Sequence, residues 1–581
     1  MKKQMQFLSV GLLCSIVGVN TLSALEGEAK PQLTIGYLAK SPGMPHPLKV
    51  RDWSEVAKKY YAMLFNLKLE GKNLPLSSVD KEKGEFSMAG YVGHIERNPE
   101  AQNALSALIG ASLMGIDLRN MNDFNYIDAT RNWIDPKLGI FRNRPKQKGS
   151  VIHSDIYGYW PVMLSLMLAD VCKIPEAKDT WIKTTMERFD QLCVGMGCPN
   201  SPDFFNLGFD FEANKIGGRN EPLNCYGNAP AVGWIMYVGW ILYKEEKYLK
   251  NAEAAITWQL AHPGRYEITH VPGPLLAARL NAELGRNYDL SRAFKVWCGD
   301  FENNCPWKVL SGSVQGGFTC DGLDGSWQGS KDNNFYAFTM GTLQGPAWLV
   351  PVARYDARYA KMIGKFALHT ASTSRLLQGC DLDWAHQDHK DWKDLYDKEN
   401  ILCYEGLGSR ARWDDSIRPY ATGDSIRLGF FNKKPVKNPE YLEKKTSYFS
   451  KDPDNISLYM GNHIGFLGSI MCKTEHEGIL VWDCLKTDYY HPKAFPTYLI
   501  YNPYVESKRF SFEFTKGKAD YYDAVSGKVI MKNAGGKITL ELAAESAMVL
   551  TVLPAEAKIS KENGKLSVDG VIIDYLVGQA K

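Results

Sequence analysis

The chain has 581 residues, of which 45% are hydrophobic and 23% charged, and a formal net charge of +3. A chain of this length exceeds one ordinary hydrophobic core, so two to four domains are expected. The nearly balanced charge argues against a nucleic-acid-binding surface, and no nucleic-acid partner is expected.

The first 24 residues have the pattern of a secretory signal peptide. A basic start, MKKQMQ, is followed by the short apolar run FLSVGLLCSIVGV and then by Thr21, Ser23 and Ala24. The apolar run is shorter than the roughly 20 residues that a membrane-spanning helix needs. No later segment has that length and character. We therefore expect cleavage near Ala24, a secreted or periplasmic protein, and no membrane span.

Helical periodicity dominates residues 51–455, after an N-terminal extended segment at 25–50. The predicted helices are Trp53–Leu69, Ala101–Leu118, Tyr159–Val171, Glu176–Leu192, Ala229–Tyr243, Tyr248–Leu260, Phe335–Val350 and Ala353–Leu376. Several form pairs joined by short turns, and long polar loops such as 200–227 and 312–334 separate the pairs. This spacing predicts an (α/α)6-type helical toroid whose long loops line a cleft at one end.

Alternation with a period of two residues begins after about Ser457. The predicted strands are Gly478–Cys484, Thr497–Tyr501, Phe510–Phe514, Ala519–Tyr522, Lys528–Met531, Lys537–Leu542, Ala547–Val552 and Val571–Leu576. They predict an antiparallel β-sandwich domain at 456–581. The fold class is therefore mainly α, with a C-terminal β-sandwich.

Eleven cysteines remain once Cys14 of the signal peptide is set aside from the 12 of the whole chain. An odd number leaves at least one unpaired. Cys193/Cys198 and Cys298/Cys305 are close enough in sequence for local disulfides, although buried free thiols are the alternative. We expect one or two local disulfides.

The segment 403–424, CYEGLGSRARWDDSIRPYATGD, concentrates carboxylates, aromatic rings and guanidinium groups in a stretch without apolar periodicity. It predicts a long functional loop, because carboxylates can move protons, aromatic faces can stack on sugar rings and arginines can bind acidic groups. The candidates are Glu405 and Asp424 for catalysis, and Tyr404, Arg410, Arg412 and Trp413 for substrate binding. Asp424 has an alternative structural role as the partner of Arg418 or Arg427.

A second candidate, Asp155, stands in HSDIYGYWP just before a predicted helix. His153, Tyr157 and Trp160 surround it and could contact a substrate. The alternative is an acid at a helix start, where helices favour negative charge anyway.

Two further candidate catalytic acids, Asp321 and Asp324, lie in the Gly-rich TCDGLDGSWQGS, with Trp327 as a stacking face. Turn formation is the alternative, because Asp-Gly is a common turn pair.

At the level of architecture the chain resembles the six-hairpin toroid glycosidase-like enzymes and the toroid-plus-sandwich polysaccharide-degrading enzymes. The segments that carry the likeness are HSDIYGYWP (153–161), NCYGNAPAVGWIMYVGW (224–240), YEGLGSRARWDDSIRPYATGD (404–424) and PTYLIYNPY (496–504). The resemblance implies cleavage of glycosidic bonds in an oligo- or polysaccharide. Such hydrolysis needs two carboxyl groups facing each other at roughly 5–10 Å.

Two other functions remain open. A polysaccharide lyase would need a base and a group that neutralises a uronic carboxylate, for which His262 and Tyr266 beside Arg265 are the candidates. A non-catalytic glycan-binding protein is the third possibility. No cofactor or metal is expected, because the His386–Asp388–His389 group lacks helical ligand spacing and no nucleotide-binding motif occurs in a suitable context.

Overall fold

The computed structural model describes residues 28–577 except 94–99, 145–148, 218–226, 302–306, 327–335, 409–418, 424–452 and 454. The predicted signal peptide lies outside these residues. Within the described part of the chain, no helix combines the length and the apolar character needed to cross a membrane.

Helices dominate the described chain up to residue 470. They are α1 (Trp53–Leu64), α2 (Ala101–Leu113), α3 (Tyr126–Ala129), α4 (Tyr159–Val171), α5 (Trp181–Gly195), α6 (Ala229–Tyr243), α7 (Glu246–Ala261), α8 (Gly273–Leu284), α9 (Leu290–Cys298), α10 (Thr339–Leu349), α11 (Val352–Tyr355), α12 (Ala360–Thr373), α13 (Lys390–Tyr396), α14 (Leu458–Gly461) and α15 (Ile464–Ile470). The predicted bounds of α4 and α6 are confirmed to the residue, whereas α8 and α9 were not predicted.

Six of these helices, α2, α4, α6, α8, α10 and α15, form a closed cycle in which each contacts the next and α15 contacts α2 again. They are apolar and buried almost all round, as in α6, which is buried from Ala229 to Gly239. The more amphipathic helices α1, α5, α7, α9 and α12 pack against members of this cycle. The principal core therefore lies among the six cyclic helices and between them and the surrounding ones.

Short strands lie in the loops that connect the helices. They are β1 (Ser77–Asp80), β2 (Glu85–Met88), β3 (Val151–His153), β4 (Gly208–Asp210), β5 (Lys215–Ile216), β6 (Trp307–Val309), β7 (Val314–Gln315), β8 (Phe318–Thr319), β9 (Asp324–Ser326), β10 (Tyr336–Phe338), β11 (Gly406–Gly408) and β12 (Tyr420–Thr422). Five of them form an antiparallel sheet in the order β12-β11-β10-β9-β6. This sheet matters for the site, because Asp324 begins β9 and Glu405 immediately precedes β11.

The C-terminal region is rich in strands. They are β13 (Met471–Lys473), β14 (Leu480–Asp483), β15 (Thr497–Tyr501), β16 (Lys508–Asp523), β17 (Lys528–Leu542), β18 (Ala547–Pro554), β19 (Ser560–Glu562), β20 (Lys565–Val568) and β21 (Val571–Asp574). The first six form one antiparallel sheet in the order β13-β14-β15-β18-β16-β17, and the last three form another. The strands predicted at 510–514 and 519–522 are parts of one long strand, β16, and those predicted at 528–531 and 537–542 are parts of β17. Register shifts interrupt the pairing of β16 with β17.

The large sheet has two covered faces. Helix α12 contacts β15 and β18 on one side. On the other side, Phe510, Ile538 and Leu540 of the β16–β17 hairpin share an apolar cluster with Val481 and Ile500. The hairpin therefore folds back over strands of its own sheet.

The start of the described chain is tied to the C-terminal region. The Lys30 ammonium donates to a carboxylate oxygen of Asp574 at 2.5 Å and to the Ala524 carbonyl at 2.6 Å, and all three groups are buried. This contact fixes the N-terminal segment against the second half of the molecule.

Element order bears on the predicted domain boundary between 455 and 456. Helix α15, which completes the helical cycle, lies beyond it, and the first C-terminal strand starts only at Met471. The boundary stays a prediction, and a position near residue 470 agrees better with these contacts.

The expected Cys193–Cys198 disulfide is wrong. Both residues are free thiols, as is Cys298, whose predicted partner Cys305 lies outside the described residues. Helix α5 ends near Cys193, and the Cys198 amide donates to the Cys193 carbonyl at 2.9 Å, so the turn brings the two residues together without a covalent bond. Burial raises the pKa of the Cys193 thiol, which makes it a poor nucleophile for disulfide formation.

Candidate active site

A cavity of about 460 Å³ opens where α2 and α4 begin. Its wall comes from the segment after β2, the start of α2, the end of β3, the turn before α4, and α14. The lining residues are Gly90, Tyr91, Glu100, Asn103, Asn143, Arg144, His153, Asp155, Tyr157 and Tyr459. The size is within the range of small-molecule sites, and the lining is mostly polar and aromatic.

Asp155 is fixed in the turn that enters α4. One carboxylate oxygen accepts the Tyr157 amide at 2.9 Å, and the Asp155 carbonyl accepts the amides of Gly158 and Trp160. Burial raises the pKa of the Asp155 carboxyl, and the Tyr157 amide and the charge of His153 only partly oppose this. A carboxyl group with a raised pKa in a cavity is suited to donate a proton.

Gly158 lets this turn pack against β3. A Cβ at this position would lie 1.9 Å from the His153 carbonyl oxygen, so only glycine allows the approach. The position of Asp155 therefore depends on a close backbone contact between β3 and the start of α4.

Glu405 directly precedes β11 of the five-stranded sheet and bonds to a residue of the cavity wall. It is 4% exposed, and the Tyr91 hydroxyl donates to its Oε2 at 3.0 Å. The Tyr91 ring packs at 6.1 Å from the ring of Tyr459, which also lines the cavity. Glu405 thus lies directly behind the tyrosines of the cavity wall.

The pKa values of the Tyr157 and Tyr459 phenols depend on the charges around the cavity. Burial raises the pKa of both phenols, and the negative charges of Glu267 and Glu405 raise them further. A hydrogen bond with Tyr459 partly offsets the effect on Tyr157. These interactions place Glu267 and Glu405 near one pair of phenols.

Two carboxylates of this neighbourhood, Glu100 and Glu267, were missed by sequence reasoning. Glu100 lines the cavity at the start of α2 and forms an ion pair with Arg144 at 3.3 Å. Glu267 has φ = +46°, a conformation that costs energy for a residue with a long side chain. The only sequence signal was that Glu267 directly follows Tyr266, which is a candidate residue for lyase chemistry.

Asp324 lies elsewhere. Ala337 of β10 pairs with Gly325 on one side and with Leu407 on the other, and side chains alternate along each strand. Asp324 and Glu405 therefore point to opposite faces of the sheet. Asp324 is buried against Arg265, whose Nη2 donates to Oδ1 at 2.5 Å. Burial raises its pKa to about 6 although the Arg265 charge acts in the opposite direction.

Asp321 has a structural setting. Its Oδ1 accepts the Ser313 amide at 2.9 Å, its carbonyl accepts the Thr373 hydroxyl at 2.8 Å, and it is 2% exposed. Neither Asp321 nor Asp324 lines the cavity.

Four other predicted contact residues are also outside the cavity lining. Trp160 is fully buried and stacks on His463 with centroids 6.1 Å apart, and Tyr404 is buried with its hydroxyl bonded to the Asp388 carbonyl at 2.7 Å. His262 stacks on Trp258, and Tyr266 packs edge-on against Trp307. His153 and Tyr157 do line it.

The remaining candidates, Trp327, Arg410, Arg412, Trp413 and Asp424, lie outside the described residues. The His386–Asp388–His389 group is described, and there Asp388 accepts hydrogen bonds from Tyr420, Thr422 and Asn455. Its carboxylate thus joins the 384–389 segment to β12.

No protein-family model matches the sequence, and no curated protein matches it. Among solved structures, it is similar to a sugar epimerase from a ruminal bacterium, with 9% identity, a TM-score of 0.38, and coverage of 72% of this chain and 98% of that one. It is also similar to the cellulase Cel9M of C. cellulolyticum (13% identity, TM-score 0.33, coverage of 72% and 98%). A GH127 β-L-arabinofuranosidase from Geobacillus stearothermophilus T6 is similar over 90% of this chain and 85% of that one, with 12% identity and a TM-score of 0.33. These similarities are too distant to assign an activity.

Proposed function

We propose that the protein is a glycoside hydrolase that acts on an oligo- or polysaccharide in the cavity at the start of α2 and α4. The helical part is an (α/α)6 toroid, with the six cyclic helices as its inner layer, and the C-terminal strands form a β-sandwich through the folded-back β16–β17 hairpin. The observation that carries the activity is that Asp155 lines the cavity with a raised pKa, while Glu405 accepts a hydrogen bond from Tyr91, another residue of the cavity wall.

Asp155 is the general acid in this proposal. Its raised pKa keeps a proton on the carboxyl group to a higher pH than usual, and the Asx turn with Tyr157 leaves the second oxygen for the substrate. Protonation of the glycosidic oxygen then allows the C–O bond to break as positive charge develops on the sugar.

Glu405 is the second carboxylate. A phenol that donates to Oε2 stabilises its charge, and the ionised form can activate a water molecule or attack the sugar directly. Tyr157, which is 44% exposed, offers an aromatic face at the mouth of the cavity.

The test is a panel of plant, algal and host glycans assayed for new reducing ends. Asp155→Asn and Glu405→Gln should each lower the rate by roughly 10²–10⁴-fold with unchanged thermal unfolding. Asp117→Asn is the matched control for Asp155, because Asp117 makes the same side-chain bond to the amide two residues ahead but lies outside the cavity. Full activity in both Asp155→Asn and Glu405→Gln would overturn the assignment.

A lyase is the second candidate, since the cavity itself holds Tyr157, His153 and Arg144. Tyr157 or His153 could abstract a proton, and Arg144, whose side chain is 64% exposed, could bind a uronic carboxylate. Elimination leaves an unsaturated product that absorbs in the ultraviolet, whereas hydrolysis does not. The same panel therefore separates the two reactions, and a protein that only binds glycans would give neither product.

Export also belongs to this proposal. It rests on the sequence of residues 1–24, and an acidic or neutral glycan outside the cytoplasm is the corresponding substrate. N-terminal sequencing of protein recovered from the periplasm or medium should give a start near residue 25. Recovery of full-length protein from the cytoplasm alone would contradict export.

A further inference from the structure

Trp384 is unusual among the described tryptophans because it is largely exposed. Its exposed fraction is 57%, and every other described tryptophan is buried or half-buried. Leaving an indole in water forgoes a large burial energy, so its exposure needs a reason.

The segment that presents Trp384 is anchored at its start. Oδ1 of Asp383 accepts the amides of Ala385 at 2.9 Å and His386 at 3.2 Å, and His386 Nδ1 lies 2.7 Å from the same oxygen. These bonds hold residues 384–386 in one turn of 3₁₀ helix. The indole is therefore presented on a fixed backbone.

The segment is anchored equally well at its end. The carboxylate of Asp388 accepts hydrogen bonds from the Tyr420 hydroxyl at 2.5 Å, the Thr422 hydroxyl at 2.8 Å and the Asn455 amide at 2.5 Å. The Tyr404 hydroxyl donates to the Asp388 carbonyl at 2.7 Å. Since Tyr404 directly precedes Glu405, these hydrogen bonds connect the turn that carries the indole to the segment of the proposed catalytic carboxylate.

Two charged side chains lie near the indole. The Asp383 side chain is 71% exposed and bonds within its own turn, and Lys390 Nζ, which pairs with Asp394, lies over the Trp384 ring, 5.9 Å from its centroid. The His386 ring contacts Phe318 of the β7–β8 hairpin, with centroids 6.0 Å apart. An exposed aromatic ring with charged side chains nearby suits a pyranose, which has an apolar C–H face and a rim of hydroxyl groups.

We propose that Trp384 is the stacking platform of a second glycan-binding surface, formed with Asp383 and Lys390 and separate from the cavity. Its ligand is a polysaccharide chain. A protein partner would favour a contiguous apolar patch, whereas here, among the described residues, one exposed ring lies near charged side chains. The inference rests on the proposed function for the choice of ligand, because a polymer held on this surface feeds the cavity of the same molecule.

The experiment is electrophoresis of the full-length protein through gels that contain soluble polysaccharides of the panel. Asp155→Asn serves as the background, so that the polymer is not degraded during the run. Adding Trp384→Ala should weaken retardation by the recognised polymer about tenfold. Trp384→Tyr should retain most of the binding. Leu395→Ala is the control, because Leu395 is 69% exposed and lies outside this surface.

Kinetics with Asp155 intact give a second readout. Trp384→Ala should leave the rate on short oligosaccharides unchanged and lower the rate on dilute polymer. Unchanged retardation of Trp384→Ala, equal loss in Leu395→Ala, or no retardation of any protein by any polysaccharide would overturn the proposal. If wild-type protein cleaves no glycan but is retarded in a Trp384-dependent way, the proposed hydrolase function fails and the glycan-binding surface stands.

Discussion

The Tyr91 hydroxyl donates a hydrogen bond to Oε2 of Glu405 across 3.0 Å, although the two residues are 314 positions apart. The contact joins the segment after β2 to the five-stranded sheet, and it gives a buried carboxylate a neutral donor. Such a donor stabilises the charge of Glu405 and fixes its direction without cancelling the charge.

Removing this donor should affect chemistry more than binding. Tyr91→Phe keeps the ring against Tyr459 but deletes the hydroxyl, and we expect kcat to fall about tenfold, the value of one hydrogen bond to a charged group. The acidic limb of the kcat/KM profile should move to higher pH, because the ionised carboxylate has lost a donor. A rise in KM at constant kcat and an unchanged pH profile would instead indicate a role in substrate contact alone.

The close packing of Gly158 on β3 makes a separate prediction. In Gly158→Ala the new methyl carbon would lie 1.9 Å from the His153 carbonyl oxygen, and backbone atoms cannot yield as a flexible side chain can. We expect the start of α4 and Asp155 to shift, with at least a 100-fold loss of activity and a lower urea midpoint. Gly517→Ala is the control, since a Cβ there meets nothing within 4 Å, and it should behave like the wild type. Wild-type activity in Gly158→Ala would show that the turn tolerates displacement.

The sequence predicts structure that depends on neighbouring residues better than structure that depends on contacts between distant segments. Helices α4 and α6 were predicted to the residue because each is a long apolar run, whereas α8 was missed because it begins with Gly-Pro and carries charged residues. Arg279 of α8 is nevertheless buried, since it pairs with Glu283 at 2.8 Å and with backbone carbonyls of Tyr489 and Tyr490. Tertiary partners of that kind leave no local pattern.

The site shows the same limit. Asp155 could be chosen as a candidate from its aromatic neighbours in sequence, and the turn before α4 places it in the cavity lining with His153 and Tyr157. The pairing of Glu405 with Tyr91 and the approach of Glu267 to Tyr157 depend on distant segments, so sequence spacing contains no signal for them. Asp324 was favoured by its Gly-rich context, but strand alternation turns it toward Arg265.

The buried His463 should make the stability of the folded protein sensitive to acid. Burial between Trp160 and Phe466 lowers its pKa to about 3, and its Nδ1 bonds to the Gln344 amide at 2.7 Å. The unfolded chain takes up this proton near pH 6.5, whereas the folded chain resists it until about pH 3. Stability is therefore full above pH 6.5 and declines as the pH falls toward 3, by up to about 5 kcal/mol.

The corresponding variant is His463→Gln, which cannot take up the proton. We expect it to be less stable than the wild type at pH 7.5, because the stacked ring is lost, but to lose less stability between pH 6.5 and pH 4. Urea midpoints across this range measure both effects. His262→Gln is the control for the loss of a stacked imidazole, since His262 stacks on Trp258 but is exposed. Parallel pH curves for His463→Gln and wild type would contradict the assignment.

Substitutions in the Arg265–Asp324 ion pair should have non-additive effects on the free energy of unfolding. Both side chains are buried, and their contact at 2.5 Å offsets the cost of removing two charges from water. Arg265→Met and Asp324→Leu should each destabilise the protein by about 3–5 kcal/mol, because each leaves one charge buried without its main partner. The double variant should be more stable than the sum of the two losses predicts, since neither charge remains. Additive losses in urea unfolding would show that the two residues act independently, and a large fall in kcat with unchanged stability would place Asp324 in the catalytic machinery after all.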